Sequence, residues 1–129
     1  MSEAAAKADY VINVLPADAA NLKIIGGDVF ARMKPSAYFI NVGRGQTVDE
    51  AALIAALRER RIAGAGLDVF DSFPLPPTSP LWDLPNVVIT PHIGGHVRDY
   101  AALAAPIVLD NLRLFLAGRT AEMRNIVEH

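Results

Sequence analysis

An α/β fold with a parallel sheet wound by helices is predicted by three observations. Four short apolar runs, YVINVL at 10–15, Tyr38 to Val42, AGLDVF at 65–70 and NVVIT at 86–90, read as strands apolar on both faces. Segments of helical pattern alternate with them, and Pro or Gly punctuates most of the junctions. Strands buried on both faces need helices to cover them, which is how crossover connections build a parallel sheet.

Taken in order, Met1 to Ala8 reads as the tail of a helix, and YVINVL as a β-branched strand closed by Pro16. Residues 17–34 carry helical material, with Asp28 placed as N-cap for VFARMK and Pro35 beyond its end. The second strand, Tyr38 to Val42, is bounded by Pro35-Ser36 and Gly43. After the turn Gly43-Arg44-Gly45 comes DEAALIAALRERR, in which Asp49 can cap while Ala52, Leu53, Ala56 and Leu57 recur along one face. Its cations gather at the end, where the helix dipole favours them. AGLDVF is the third strand, and the proline-rich FPLPPTSPLWDLP separates it from NVVIT, the fourth; Trp82 and its leucines are expected to pack that loop or a partner. A last helix is expected from about Val97 to Ala117, kinked at Pro106 and ended by Gly118.

Composition narrows the classes. A chain of 129 residues is sized for one domain, and no repeats or low-complexity segments divide it. The net charge is -2 and the sequence pI about 5.8, with Lys and Arg scattered, so no nucleic-acid partner is expected. No cysteine is present, which removes disulfides, thiolate metal sites and thiol nucleophiles; no metal site is expected. Without a membrane-length apolar run or a leader pattern, the reading is a soluble, cytoplasmic protein with no membrane partner. The hydrophobic fraction of 52% and mean hydropathy of +0.26 are high for so small a chain. Some apolar surface is therefore expected to meet another polypeptide, in a homo-oligomer or with a complementary chain.

Ligands of such sheets bind beyond the carboxyl ends of the strands. Pro16, Gly43-Arg44-Gly45, the residues after Asp68, and Thr90 to Gly95 all lie at carboxyl ends, so one Arg, one Asp and one His converge on a single rim. The glycines around Arg44 suggest that something approaches the backbone closely, and the guanidinium is a candidate to face a ligand.

The stretches INVGRGQTVDEAALIAAL, RIAGAGLDVF and PLWDLPNVVITPHIGG, in this order and spacing, resemble the D-isomer-specific 2-hydroxyacid dehydrogenases, the family of phosphoglycerate dehydrogenase, glyoxylate/hydroxypyruvate reductase and formate dehydrogenase. The resemblance covers nearly the whole chain. It implies a partial Rossmann-like sheet of about four strands with flanking helices and a long C-terminal helix. It also implies NAD or NADP as cofactor and hydride transfer between a 2-oxo acid and a D-2-hydroxy acid. Arg44 matches the family's substrate-binding arginine, whose planar fork can hold a carboxylate by two parallel hydrogen bonds. His92 matches the proton donor and acceptor, a role that suits imidazole near neutral pH. Pro16, Val42, Gly43, Asp68, Gly94 and Gly95, with Arg44 and His92 themselves, match the cofactor contacts, Asp68 having an equally good reading as a residue that closes its strand. His96 reads as a surface residue at a helix start.

Two departures from the family pattern matter. Phe73 stands where the family has a glutamate that pairs with the histidine, which implies that His92 is a poorer acid at neutral pH; Asp71, two residues earlier, could take over only if the loop shifts. The Gly-x-Gly-x-x-Gly turn that holds the pyrophosphate is not in the sequence, nor is a substrate domain. The expectation is thus a single partial dinucleotide-binding domain over residues 1–129, inactive as an isolated chain. The alternatives are a noncatalytic interaction or dimerisation module and a truncated gene product.

Overall fold

In this computed structural model, residues 2–126 are described, and four parallel strands form one sheet in chain order. The strands are β1 (Tyr10–Asn13), β2 (Tyr38–Asn41), β3 (Gly64–Leu67) and β4 (Val87–Ile89). The helices are α1 (Ser2–Ala5), α2 (Gly27–Phe30), α3 (Glu50–Arg58) and α4 (Tyr100–Leu116). The α/β class and all four strands stand where the apolar runs predict them, with most ends trimmed by a residue or more and β3 starting one residue earlier, at Gly64. Residues 1–94 and 95–129 form two compact units.

In the first unit one face of the sheet is covered. Phe39, Ala65 and Leu67 point into a core closed by Val29, Phe30, Leu53, Ala56 and Leu57 of α2 and α3, and Phe30 meets Phe39 edge to face at 5.3 Å. The opposite face is exposed: Tyr10, Ile12, Tyr38 and Val88 are 62, 58, 45 and 68% accessible. Tyr10 stacks on Tyr38 across the β1–β2 pair. Part of the excess of apolar residues thus sits on a bare sheet face rather than in an enlarged core.

α3 forms as its pattern predicts. The Asp49 side chain accepts the Ala52 N–H at 3.1 Å, and Leu53, Ala56 and Leu57 are its buried face. The helix expected within 17–34 does not: only the single turn of α2 is helical, and Asp28 lies inside it rather than capping it. The cap is Gly26, whose carbonyl accepts from Val29 and Phe30. Upstream, the Asp18 carboxylate binds the N–H groups of Ala20 and Asn21, so a local side-chain turn takes the donors that a helix would use. Trp82 is tied to the proline-rich loop by its indole N–H, which donates to the Pro76 carbonyl at 3.0 Å, while Leu81 is buried beneath. Met1 lies outside the described residues, and of the helix tail expected at Met1 to Ala8 only the turn of α1 is helical.

The second unit holds α4, which starts after Asp99 and runs through Pro106. Gly118, at φ +71°, ends it as expected: its N–H donates to the Phe115 carbonyl and that of Arg119 to the Leu114 carbonyl, the paired bonds of a Schellman motif. Leu103, Val108, Leu112 and Phe115 of this helix are exposed. No described helix is long and apolar enough to cross a membrane.

Candidate active site

The turn after β2 carries Arg44 between two backbone segments. A Cβ on Gly43 would lie 2.9 Å from the Leu15 N and O atoms, and one on Gly45 only 1.7 Å from the Phe70 carbonyl oxygen. Both glycines are therefore required by the chain's own backbone: the ends of β1 and β3 press on the turn from either side. What approaches closely in this structure is the protein's own backbone. Arg44 has extended backbone, φ -137°, and an exposed side chain whose Nη1 donates to the Gly43 carbonyl at 2.8 Å.

After β4 the chain turns sharply at His92, which has φ +57° and whose N–H donates to the Thr90 carbonyl. Asp68, buried at the end of β3, holds this turn. Its carboxylate accepts the Thr90 hydroxyl, the Ile93 N–H at 2.9 Å and the Gly94 N–H at 2.8 Å. Gly94 is needed there because a Cβ would sit 2.9 Å from an Asp68 oxygen. Burial pushes the Asp68 carboxyl up, but the bonds from Thr90, Ile93 and Gly94 and the nearby imidazole of His92 outweigh it and hold the carboxyl below its ordinary value. Asp68 is thus a clamp on the histidine turn, which adds geometry to the structural side of its two readings.

Arg44 and His92 share one cavity of about 120 Å³ with Gly45, Gln46, Phe70, Asp71 and Phe73. Phe73 covers the imidazole edge to face, ring centroids 5.5 Å apart. Asp71 lines the same cavity, and its N–H donates to the Glu50 carboxylate at 3.2 Å, so the loop carrying it is tied to the start of α3. Pro16 and Val42 are exposed at the carboxyl ends of β1 and β2, and Gly43 is buried beneath them. Gly95 and His96 begin the second unit, where both are exposed.

One constellation was not singled out from the sequence. Asn13 and Asn41, paired in register at the ends of β1 and β2, are both 2% exposed and bonded side chain to side chain at 2.8 Å. Asn13 also donates to Thr47, whose hydroxyl donates to the Arg44 carbonyl. The signal was present: Tyr-x-Ile-Asn-Val occurs at 10–14 and again at 38–42, and the pairing aligns the two copies residue for residue.

Residues 1–94 match the model of the D-isomer specific 2-hydroxyacid dehydrogenase NAD binding domain. Among curated relatives, glyoxylate/hydroxypyruvate reductase B of Citrobacter koseri is 49% identical over 112 residues, which is 87% of this chain and 35% of that protein. The protein of the same name from Pectobacterium carotovorum is 47% identical over 117 residues, 91% of this chain and 37% of its own length. The chain thus spans about a third of these relatives. Among solved structures, a D-isomer specific 2-hydroxyacid dehydrogenase from Xanthobacter autotrophicus in complex with NADPH and MES superposes with a TM-score of 0.87 at 41% identity, covering 96% of this chain and 50% of that one. An NADPH-dependent glyoxylate/hydroxypyruvate reductase from Sinorhizobium meliloti in complex with NADP and malonate gives 0.79 at 36% identity, with 98% and 42% covered. With the parallel sheet, the rim of Arg44 and His92 and a family match over most of its length, this chain belongs to the D-isomer specific 2-hydroxyacid dehydrogenase family.

Proposed function

We propose that the chain carries the substrate-facing rim of an NAD(P)-dependent dehydrogenase that interconverts a 2-oxo acid and a D-2-hydroxy acid. The observation that carries this reading is the shared cavity of Arg44 and His92 at the carboxyl ends of β2 and β4. Arg44 holds the substrate carboxylate and polarises the neighbouring carbonyl; the guanidinium offers five donors, of which Nη1 is partly used by Gly43. His92 gives a proton to the oxygen that gains charge during reduction and takes it back in the reverse direction. Asp68 keeps the imidazole on the rim through its bonds to residues 93 and 94. The names of the relatives point to glyoxylate and hydroxypyruvate, and the malonate-bound neighbour is consistent with a small carboxylate at such a rim.

The residues fit one end of a nicotinamide cofactor. Exposed Pro16 and Val42 and the turn at 92–94 lie along the strand ends where such a ring binds, whereas no Gly-x-Gly-x-x-Gly turn is present for the pyrophosphate. Bound there, the cofactor supplies or accepts the hydride.

A second reading, a noncatalytic module, is favoured by the Phe73 ring against His92 and by the bare apolar face of the sheet. Calorimetric unfolding with and without millimolar NADH or NADPH separates the two. A ligand at a hundredfold excess over its Kd raises stability by about 2.7 kcal/mol. A transition raised by one cofactor supports the dehydrogenase; a cooperative transition moved by neither overturns the cofactor half of this reading in favour of the module.

A further inference from the structure

We infer that Asn41 and Thr47, joined through Asn13, are positioning residues that fix the direction in which Arg44 presents its guanidinium. The inference rests on the reading of Arg44 as the holder of the substrate carboxylate. Its ground is where the polar groups lie. The Gly43 N–H donates to Asn41 Oδ1 at 3.2 Å, and the Arg44 carbonyl accepts the Thr47 hydroxyl at 2.7 Å. The carbonyl that follows the Arg44 Cα is therefore held by buried Thr47 and, at 3.5 Å, by the Asn41 amide, while Asn41 also holds the peptide N–H one residue before Arg44, so the backbone that carries the arginine is fixed from both ends of the turn. Asn13 couples the two holders: its amide donates to Asn41 Oδ1 at 2.8 Å and to Thr47 Oγ1 at 2.7 Å, and its own oxygen accepts the Leu15 N–H.

The sheet does not need this polar layer for packing. At the same level β3 has Leu67, paired with Asn41, and β4 has Ile89, paired with Leu67. Asn13, Asn41 and Thr47 are 2, 2 and 0% exposed, and burying amides and hydroxyls is unfavourable unless each finds partners. Here they find them, and two of the bonds end on the backbone of the arginine turn. The polar groups occur on β1, on β2, which leads into the turn, and on Thr47 just after it, while β3 and β4 continue the same level with an apolar pair.

The test compares Thr47→Val, which keeps shape and loses the hydroxyl, with Thr47→Ser, which restores it. Two readouts are taken on the full chain: amide hydrogen exchange of Gly43 and Gly45 relative to β2, and the affinity for oxamate, a 2-oxo acid analogue, followed by the Arg44 side-chain NMR signal. Thr47→Val loses both bonds of the hydroxyl, the one to the Arg44 carbonyl and the one from Asn13, and is expected to speed exchange in the turn about tenfold or more relative to the sheet and to weaken oxamate about tenfold, with Thr47→Ser recovering both. A lower unfolding temperature with turn exchange and oxamate affinity unchanged leaves a purely structural role and overturns the inference. If Thr47→Val does not fold, exchange in the wild-type chain decides: Gly43 protected like β2 upholds the latch, and Gly43 exchanging like an exposed loop overturns it. If wild-type chain binds no oxamate, the substrate reading fails by itself, and the positioning of the turn is judged on exchange alone.

Discussion

The ring of Phe73 meets the imidazole of His92 edge to face, with centroids 5.5 Å apart and planes at 83°. Where the resemblance implies a carboxylate, the histidine has an apolar neighbour that offers no acceptor for a ring N–H. Phe73 is 64% exposed, so replacing it does not open the core. In a full-length dehydrogenase carrying this segment, Phe73→Glu is predicted to raise turnover roughly tenfold or more, within the range of a general acid–base contribution. The carboxylate favours the protonated imidazole, so the pH–rate profile should also extend to higher pH. Steady-state kinetics across pH checks this, and an unchanged rate and profile count against it.

Gly45 lies under the Phe70 carbonyl with no room for a methyl group. Gly45→Ala must push the ends of β2 and β3 apart, and a loss of about 1–3 kcal/mol or more is expected in urea unfolding, the usual range for overpacking. A variant as stable as the wild type would show that the turn adapts freely, and with it that Arg44 is not rigidly held.

Asp68 makes stability depend on pH in a definite direction. Its carboxyl is held below the ordinary value in the folded chain, so the charged form favours folding. That contribution is complete above the unfolded-state value near pH 4 and is lost as pH falls through the lower folded value. Wild-type and Asp68→Asn chains should therefore differ most in unfolding free energy near neutral pH and converge as pH drops below about 4. A difference that stays constant with pH would sink this account of the clamp.

The Arg44 side chain is exposed and, among the described residues, bonds only to the Gly43 carbonyl, so Arg44→Lys should leave the unfolding temperature unchanged. A lysine keeps the charge and loses the two-pronged contact with a carboxylate, and binding of oxamate should weaken by about tenfold or more. Equal affinity in the variant, measured by titration calorimetry, would mean that the guanidinium does not hold the carboxylate.

The strands were legible because they are continuous apolar runs even on the face left exposed, and α3 because Asp49 and the spacing of Leu53, Ala56 and Leu57 agree with each other. Residues 17–34 misled because helical spacing there competes with an Asp18 turn and with Gly26-Gly27, and the local bonds prevailed. Around Arg44 the glycines correctly signalled a close approach, but a sequence does not say whose atoms approach. The Asn13, Asn41 and Thr47 layer escaped notice because an Asn at a strand end reads as a turn residue until pairing places two of them side by side. The Phe73 contact was legible only through the family pattern, since nothing local in the sequence places residue 73 against residue 92.

The proposed dehydrogenase requires Arg44 and His92 to act on one bound 2-oxo acid. An NMR titration of the chain with oxamate, following the Arg44 Nε and the His92 ring nitrogens together, tests it most directly. Both sets of signals are predicted to move along one isotherm with a single Kd; signals that stay still, or that saturate at different concentrations, would contradict a shared site.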